Sequence, residues 1–141
     1  MTQIFFYHNA SDRIAAVAAL IGKAYAQKKA LLVFAPDGEL ASTLDRHLWM
    51  HPPTGFVPHV RSNSPLAAET PIVITGDLDS SSQNERLFNL SAEVPTAFSR
   101  FTSVIEVVGR AEDERLAGRE RAKFYKDRGY EVKFIDLAEK H

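Results

Sequence analysis

Histidine is the side chain here best suited to proton transfer or metal ligation near neutral pH, and there are five: His8, His47, His51, His59 and His141. His47 and His51 stand four residues apart and could share one face of a helix. Between them lie Leu48, Trp49 and Met50, so the glutamate of a zinc-hydrolase helix motif is missing. Pro52 and Pro53 follow at once and limit that helix, which leaves His51 at or beyond its end. Surface or hydrogen-bonded histidines are the plain reading, and nothing else supports a metal site. Nucleophilic catalysis has one candidate segment, Asp77 to Gln83 (DLDSSSQ), with three serines. It carries no nucleophile elbow and no nearby histidine, and its composition fits an exposed loop. The absence of cysteine excludes disulfides, zinc–thiolate sites and thiol chemistry. No catalytic residue, metal or cofactor is expected.

The elements that would position any site follow from periodicity. Gln3 to Tyr7, Ala30 to Ala35 and Pro71 to Thr75 are β-branched or continuously apolar runs, read as strands. Ser11 or Asp12 can cap a helix from Arg13 to about Lys28, with Ile14, Val17, Ile21 and Tyr25 at helical spacing. A second helix runs from about Gly38 to Met50, with Leu40, Leu44 and Leu48 as its apolar side. The first helix and its flanking strands make a βαβ unit, which favours a right-handed parallel crossover. Phe56 to Val60 is a short extended piece, and Arg61 to Thr70 and Asp77 to Asn84 read as loops. Arg86 to Leu90 and Val104 to Val108 are further strand candidates, and Phe98 to Phe101 is a short helical turn. Asp113 to Arg128 forms the last long helix, stopped by Gly129, and Tyr130 to Leu137 closes the sheet.

Alternation of helices and short apolar strands predicts an α/β class: a single Rossmann-like domain, 1–141, with a mostly parallel central sheet flanked by helices. The chain's 141 residues suit one domain, and its hydrophobic and charged contents, 45% and 25%, are ordinary for a soluble protein. No signal-like or membrane-spanning run is present, so a cytoplasmic location is expected and no membrane partner. That architecture admits a rival reading, an enzyme of nucleotide or phosphate metabolism. The first strand leads into His8, Asn9, Ala10, Ser11 and Asp12 without a glycine. The second leads into Pro36, Asp37, Gly38 and Glu39, where two acids stand in place of bare amides. Neither a dinucleotide fingerprint nor a P-loop is there.

Two features suit binding instead. Leu48, Trp49 and Met50, followed by Pro52, Pro53, Phe56, Val57 and Pro58, form a dense apolar cluster around a rigid turn. Trp49 there is either core or an exposed anchor of the kind that dominates interfaces. The other feature is the last helix. Arg115 to Arg128 holds six basic residues against two acids, although the whole chain has a net charge of −1. At ~100° per residue, Arg115, Lys126, Arg119 and Lys123 fall within an arc of about 80°, with Ala122 just beyond one edge. Ala117 and Phe124 point roughly the opposite way and are expected to face the sheet. A purely basic stripe beside a small residue suits an acidic peptide with a hydrophobic end. Direct nucleic-acid binding is a weaker reading, since no stacking platform is evident.

Leu44 to Val60 (LDRHLWMHPPTGFVPHV) resembles the chi subunits of bacterial DNA polymerase III, in which a helix ending in leucine and tryptophan leads through proline to Phe-Val-Pro-His. Phe101 to Val108 (FTSVIEVV) and Gly118 to Tyr130 (GRERAKFYKDRGY) are similar to that family's last part, so the likeness covers about two thirds of the chain, while Arg61 to Asn84 matches poorly. The resemblance implies a non-catalytic replisome adaptor that pairs with the psi subunit of the clamp loader complex. It also implies binding of the acidic, phenylalanine-ended tail of single-stranded DNA-binding protein, and DNA only indirectly. Carried over by position, the tail site falls on Val108, Arg115, Arg119 and Lys123. The surface that meets psi, or a competing helicase, falls on Trp49, Phe56, Val57 and Pro58. The family's aromatic in the tail site falls at Ala122, and Tyr125 or Tyr130 is the expected substitute.

Overall fold

The computed structural model describes residues 2–27, 29–50, 59–61, 72–76, 85–91, 93–95 and 97–137; within these, the side chains of 25, 48–50 and 59–61 lie outside the description. Seven strands form one sheet: β1 (Gln3–Ala10), β2 (Leu31–Phe34), β3 (His59–Arg61), β4 (Ile72–Thr75), β5 (Arg86–Asn89), β6 (Ser103–Gly109) and β7 (Val132–Asp136). Their order is β3-β4-β2-β5-β6-β1-β7, and every pairing is parallel. The helices are α1 (Arg13–Ala26), α2 (Gly38–Met50) and α3 (Glu112–Asp127), with a 3-10 turn at Phe98–Arg100. The α/β class with a parallel sheet is therefore as the alternating pattern predicts. β1 and β2 do lie in one sheet, but β5 and β6 stand between them, so the first βαβ unit does not join neighbours. Of the two expected loops, Arg61 belongs to β3, while 62–70 and 77–84 lie outside the described residues.

Local chemistry sets the helix ends. Asp12 accepts the Ala15 amide at 3.1 Å and Asp37 accepts the Glu39 amide at 3.0 Å, each an N-cap that satisfies an orphan donor. α3 begins without a side-chain cap, but Glu112, Asp113 and Glu114 fill its first turn, where negative charge suits the helix dipole. It ends where Gly129 takes φ 84°, a left-handed geometry that costs glycine little, and the Tyr130 amide donates back to the Tyr125 carbonyl at 3.1 Å.

The central strands are buried on both faces, which is why they read as largely apolar runs, whereas the edge strand β7 keeps Lys133 and Phe134 exposed. Leu31, Val33, Ile74 and Phe88 pack with Val17 and Ile21 of α1 and Leu44 of α2. Leu32, Leu87 and Val104 point the other way, into a cluster with Phe98, Phe101, Ala122 and Tyr125.

Helix α3 is rotated from the expected orientation. Gly118, Arg121, Ala122 and Tyr125 are its buried residues, whereas Ala117 and Phe124 are only partly covered. The buried arc is turned by about 100° from the Ala117–Phe124 direction. Its cause is a buried charge. Glu106 of β6, fully buried, accepts hydrogen bonds from Arg121 Nε at 2.9 Å, Tyr125 Oη at 2.8 Å and Asn89 Nδ2 at 2.8 Å. Burial pushes the Glu106 carboxyl above its ordinary range, against the opposing pull of Arg121 and the other two donors. Tyr125 is also pushed up, first by burial and then by Glu106. Arg121 thus leaves the surface and is not part of any exposed basic patch.

Candidate functional site

That rotation swings the basic stripe of α3 to the flank of a cleft. Val108, Arg115, Arg119 and Lys123 all line this cleft of about 820 Å³, which lies between α3 and the β6-β1-β7 side of the sheet. Arg115, Arg119 and Lys123 are exposed, and among the described residues they take part in no ion pair. Solvated faces usually mix signs, and here the sign is uniform along the stripe. Val108 lies at the base because α3 approaches β6 closely: a Cβ on Gly118 would stand 2.8 Å from Val108 Cγ2.

Residues outside the expected set complete the cleft. Lys126 and Arg110 extend its cationic rim, on which Asp127 and Asp136 are the acids; Phe134 supplies exposed aromatic surface, and Phe6, itself buried, backs it. Phe134 is 50% exposed, its ring 5.7 Å from Phe6, and Lys126 Nζ lies 4.7 Å from the Phe134 centroid. Arg110 is held by its Nε, which donates to Asn9 Oδ1 at 2.9 Å, while Asn9 Nδ2 donates to Asp136 at 3.2 Å. Asn9 itself has φ 65°. A sequence signal for Phe134 existed: Val132, Phe134 and Asp136 share one face of β7 by strand alternation. Whether that face opens on a cleft depends on β7 lying at the sheet's edge, beyond the reach of local pattern.

The two tyrosines expected to replace the missing helix aromatic do not line the cleft. Tyr125 is fully buried and spent on Glu106, and Tyr130 packs against Phe98, 5.1 Å between centroids. Ala122 is 7% exposed and faces the cleft, as its place beside the stripe suggested. Of the second expected surface, Trp49 lies in the last turn of α2, but its side chain and Phe56, Val57 and Pro58 lie outside the described residues. The same holds for His51 and the serine segment. Among the described residues no group of three His, Cys, Asp or Glu could hold a metal.

A smaller crevice of about 290 Å³ sits at the carboxyl ends of β2, β5 and β6, where open α/β sheets commonly bind ligands. Arg13 lines it, but so do Asp37, Asp113 and Glu114. Arg13 donates to the Val107 carbonyl at 3.0 Å and lies 3.8 Å from Glu114. Burial lowers the Arg13 pKa, with Glu114 opposing. Three carboxylates make this a poor phosphate site. No helix among the described residues is long and apolar enough to cross a membrane.

A mainly cationic rim over an apolar floor on a parallel α/β sheet defines a class: a Rossmann-like protein with a cleft whose chemistry suits an anionic ligand that has an apolar group. Comparison with known proteins places it further. The family described as DNA polymerase III chi subunit, HolC, matches residues 1–133. The chi subunit of Pseudomonas aeruginosa DNA polymerase III is 29% identical over 134 residues, covering 92% of this chain and 93% of the relative. That of Escherichia coli K12 is 28% identical over 126 residues, 86% of each chain. The chain belongs to the DNA polymerase III chi subunit family. It is accordingly a replisome accessory subunit and not a catalytic one.

Proposed function

We propose that this chain is a single-domain adaptor, 1–141, that links the clamp loader to the acidic carboxyl tail of single-stranded DNA-binding protein. The observation that carries the reading is the convergence of Arg115, Arg119 and Lys123 over an apolar floor that includes Val108. Acidic side chains of the tail meet the three cations, and its phenylalanine end meets Val108 and the apolar surface beside it. The psi subunit, or a helicase competing for the same surface, docks on Trp49, Phe56, Val57 and Pro58; support for that half comes from the family resemblance. DNA is reached through the protein that coats it, and the work is done in the cytoplasm without a cofactor. Exposed charge contacts are individually weak and screened by salt, so useful affinity comes from joining several within one assembly.

Titration with an acidic peptide ending in Ile-Pro-Phe tests the tail site. Wild type should bind, more weakly as salt is raised, and Arg119→Ala should lose about tenfold, the equivalent of one charge-assisted contact. Equal binding by the two proteins would sink the assignment.

A further inference from the structure

Phe134 is anomalous for a strand residue. Of the described large hydrophobic side chains, only it and Leu116 are half exposed, at 50% and 52%. Leu116 is not among the residues that line the cleft, whereas Phe134 is. Its ring leans on Phe6 at 5.7 Å with planes 38° apart, and the His8 ring meets it edge-on at 6.2 Å. Lys126 Nζ sits over it at 4.7 Å. Besides its charged side chains, α3 gives the cleft just the methyl group of Ala122 and the bare backbone of Gly118, and no aromatic ring. The result is a slot with an aromatic wall on β7, a small-residue wall on α3 and a lysine at its lip.

We infer that Phe134 is the specificity-determining wall of this slot, supplied from β7 where α3 offers only Ala122, and that it selects partner segments ending in an aromatic residue with a free carboxylate. The inference rests on the proposed tail-binding role and deepens it. A ring entering the slot stacks offset or edge-on against Phe134, an arrangement favoured by the ring quadrupoles. The terminal carboxylate of such a residue lies next to its ring, within reach of Lys126 and Lys123 at the lip. Lys126 is already drawn to the face of Phe134, so binding re-aims a cation that is in place and leaves little to order. The occupant is thus fixed by two features together: a ring for the wall and a terminal negative charge for the lip.

The experiment uses one acidic peptide in two versions, ending in Phe or in Ala, titrated by fluorescence anisotropy against the intact protein and its variants. Wild type should prefer the Phe-ended peptide by about ten- to a hundredfold. Phe134→Ala should bring that preference to within about threefold while leaving the salt dependence of binding intact, because the cations are untouched. Should Phe134→Ala unfold, Phe134→Tyr and Phe134→Leu carry the same comparison: the ring-bearing variant keeps the preference and the other loses most of it. A full preference in Phe134→Ala or Phe134→Leu, with acidic-peptide binding unchanged, overturns the inference and leaves the tail-binding role standing. Failure of wild type to bind either peptide removes the role and the inference together.

Discussion

Asn9, at φ 65°, occupies a backbone region that side chains other than asparagine, aspartate and glycine enter only at a cost. It sits where the β1–β6 register shifts, between Tyr7 and Ala10, and it ties Arg110 of one loop to Asp136 of β7. A single residue thus shapes the end of a strand and aims a cation at the cleft mouth. Asn9→Gly should keep stability within about 1 kcal/mol, since glycine takes this φ freely. Asn9→Val should cost about 1–3 kcal/mol, because a branched Cβ does not fit it. Urea denaturation of the pair checks this; equal losses would show that the side-chain hydrogen bonds matter and the φ does not.

Helix α3 presses on β6 through Gly118, and the stiff Val108 side chain leaves no space for a Cβ there. Alanine normally favours a helix interior over glycine by about 1 kcal/mol. Overpacking a close contact costs about 1–3 kcal/mol, so Gly118→Ala should be net destabilising despite the better propensity. In a Val108→Ala background the same change should become neutral or stabilising, because the clash is gone. Thermal unfolding of the four proteins in this cycle measures the coupling, and additive effects would show that the helix simply shifts outward. Val108 also lines the cleft, so the contact that seats α3 also sets the depth of the floor.

Across the whole molecule, Glu106 joins β6 to β5 through Asn89 and to α3 through Arg121 and Tyr125. Removing one member of a buried ion pair typically costs about 3–5 kcal/mol, whereas replacing both with apolar groups costs far less. Arg121→Met should therefore destabilise strongly, and Arg121→Met combined with Glu106→Leu should recover part of the loss, the remainder reflecting the Tyr125 hydroxyl left without its acceptor. Folding raises the Glu106 pKa through burial, and without Arg121 that rise is less opposed. The folded state then holds the proton more tightly than the unfolded chain does. Its contribution is complete below the unfolded carboxylate pKa, about 4.3, and is lost as the pH climbs through the folded value. The Arg121→Met deficit should accordingly shrink as the pH falls from 7 toward 4, measured by urea midpoints; a constant deficit would contradict a charged, unpaired Glu106.

What the sequence by itself determined is the α/β class, most element positions and the basic stripe of the last helix. Those features are written in local periodicity: apolar runs for strands buried on both faces, helical spacing, a cap at Asp12 and a stop at Gly129. The family signature was legible in the same way, as a run of residue types. Only the tertiary structure decided which way α3 faces, because the Arg121–Glu106 pair joins residues fifteen apart and overrides the rule that basic side chains point outward. It also decided that the aromatic wall of the cleft is Phe134 and not Tyr125 or Tyr130. That outcome depends on strand order, since β7 lies beside β1 at the sheet's edge, and strand order is a property of long-range packing that no local pattern carries.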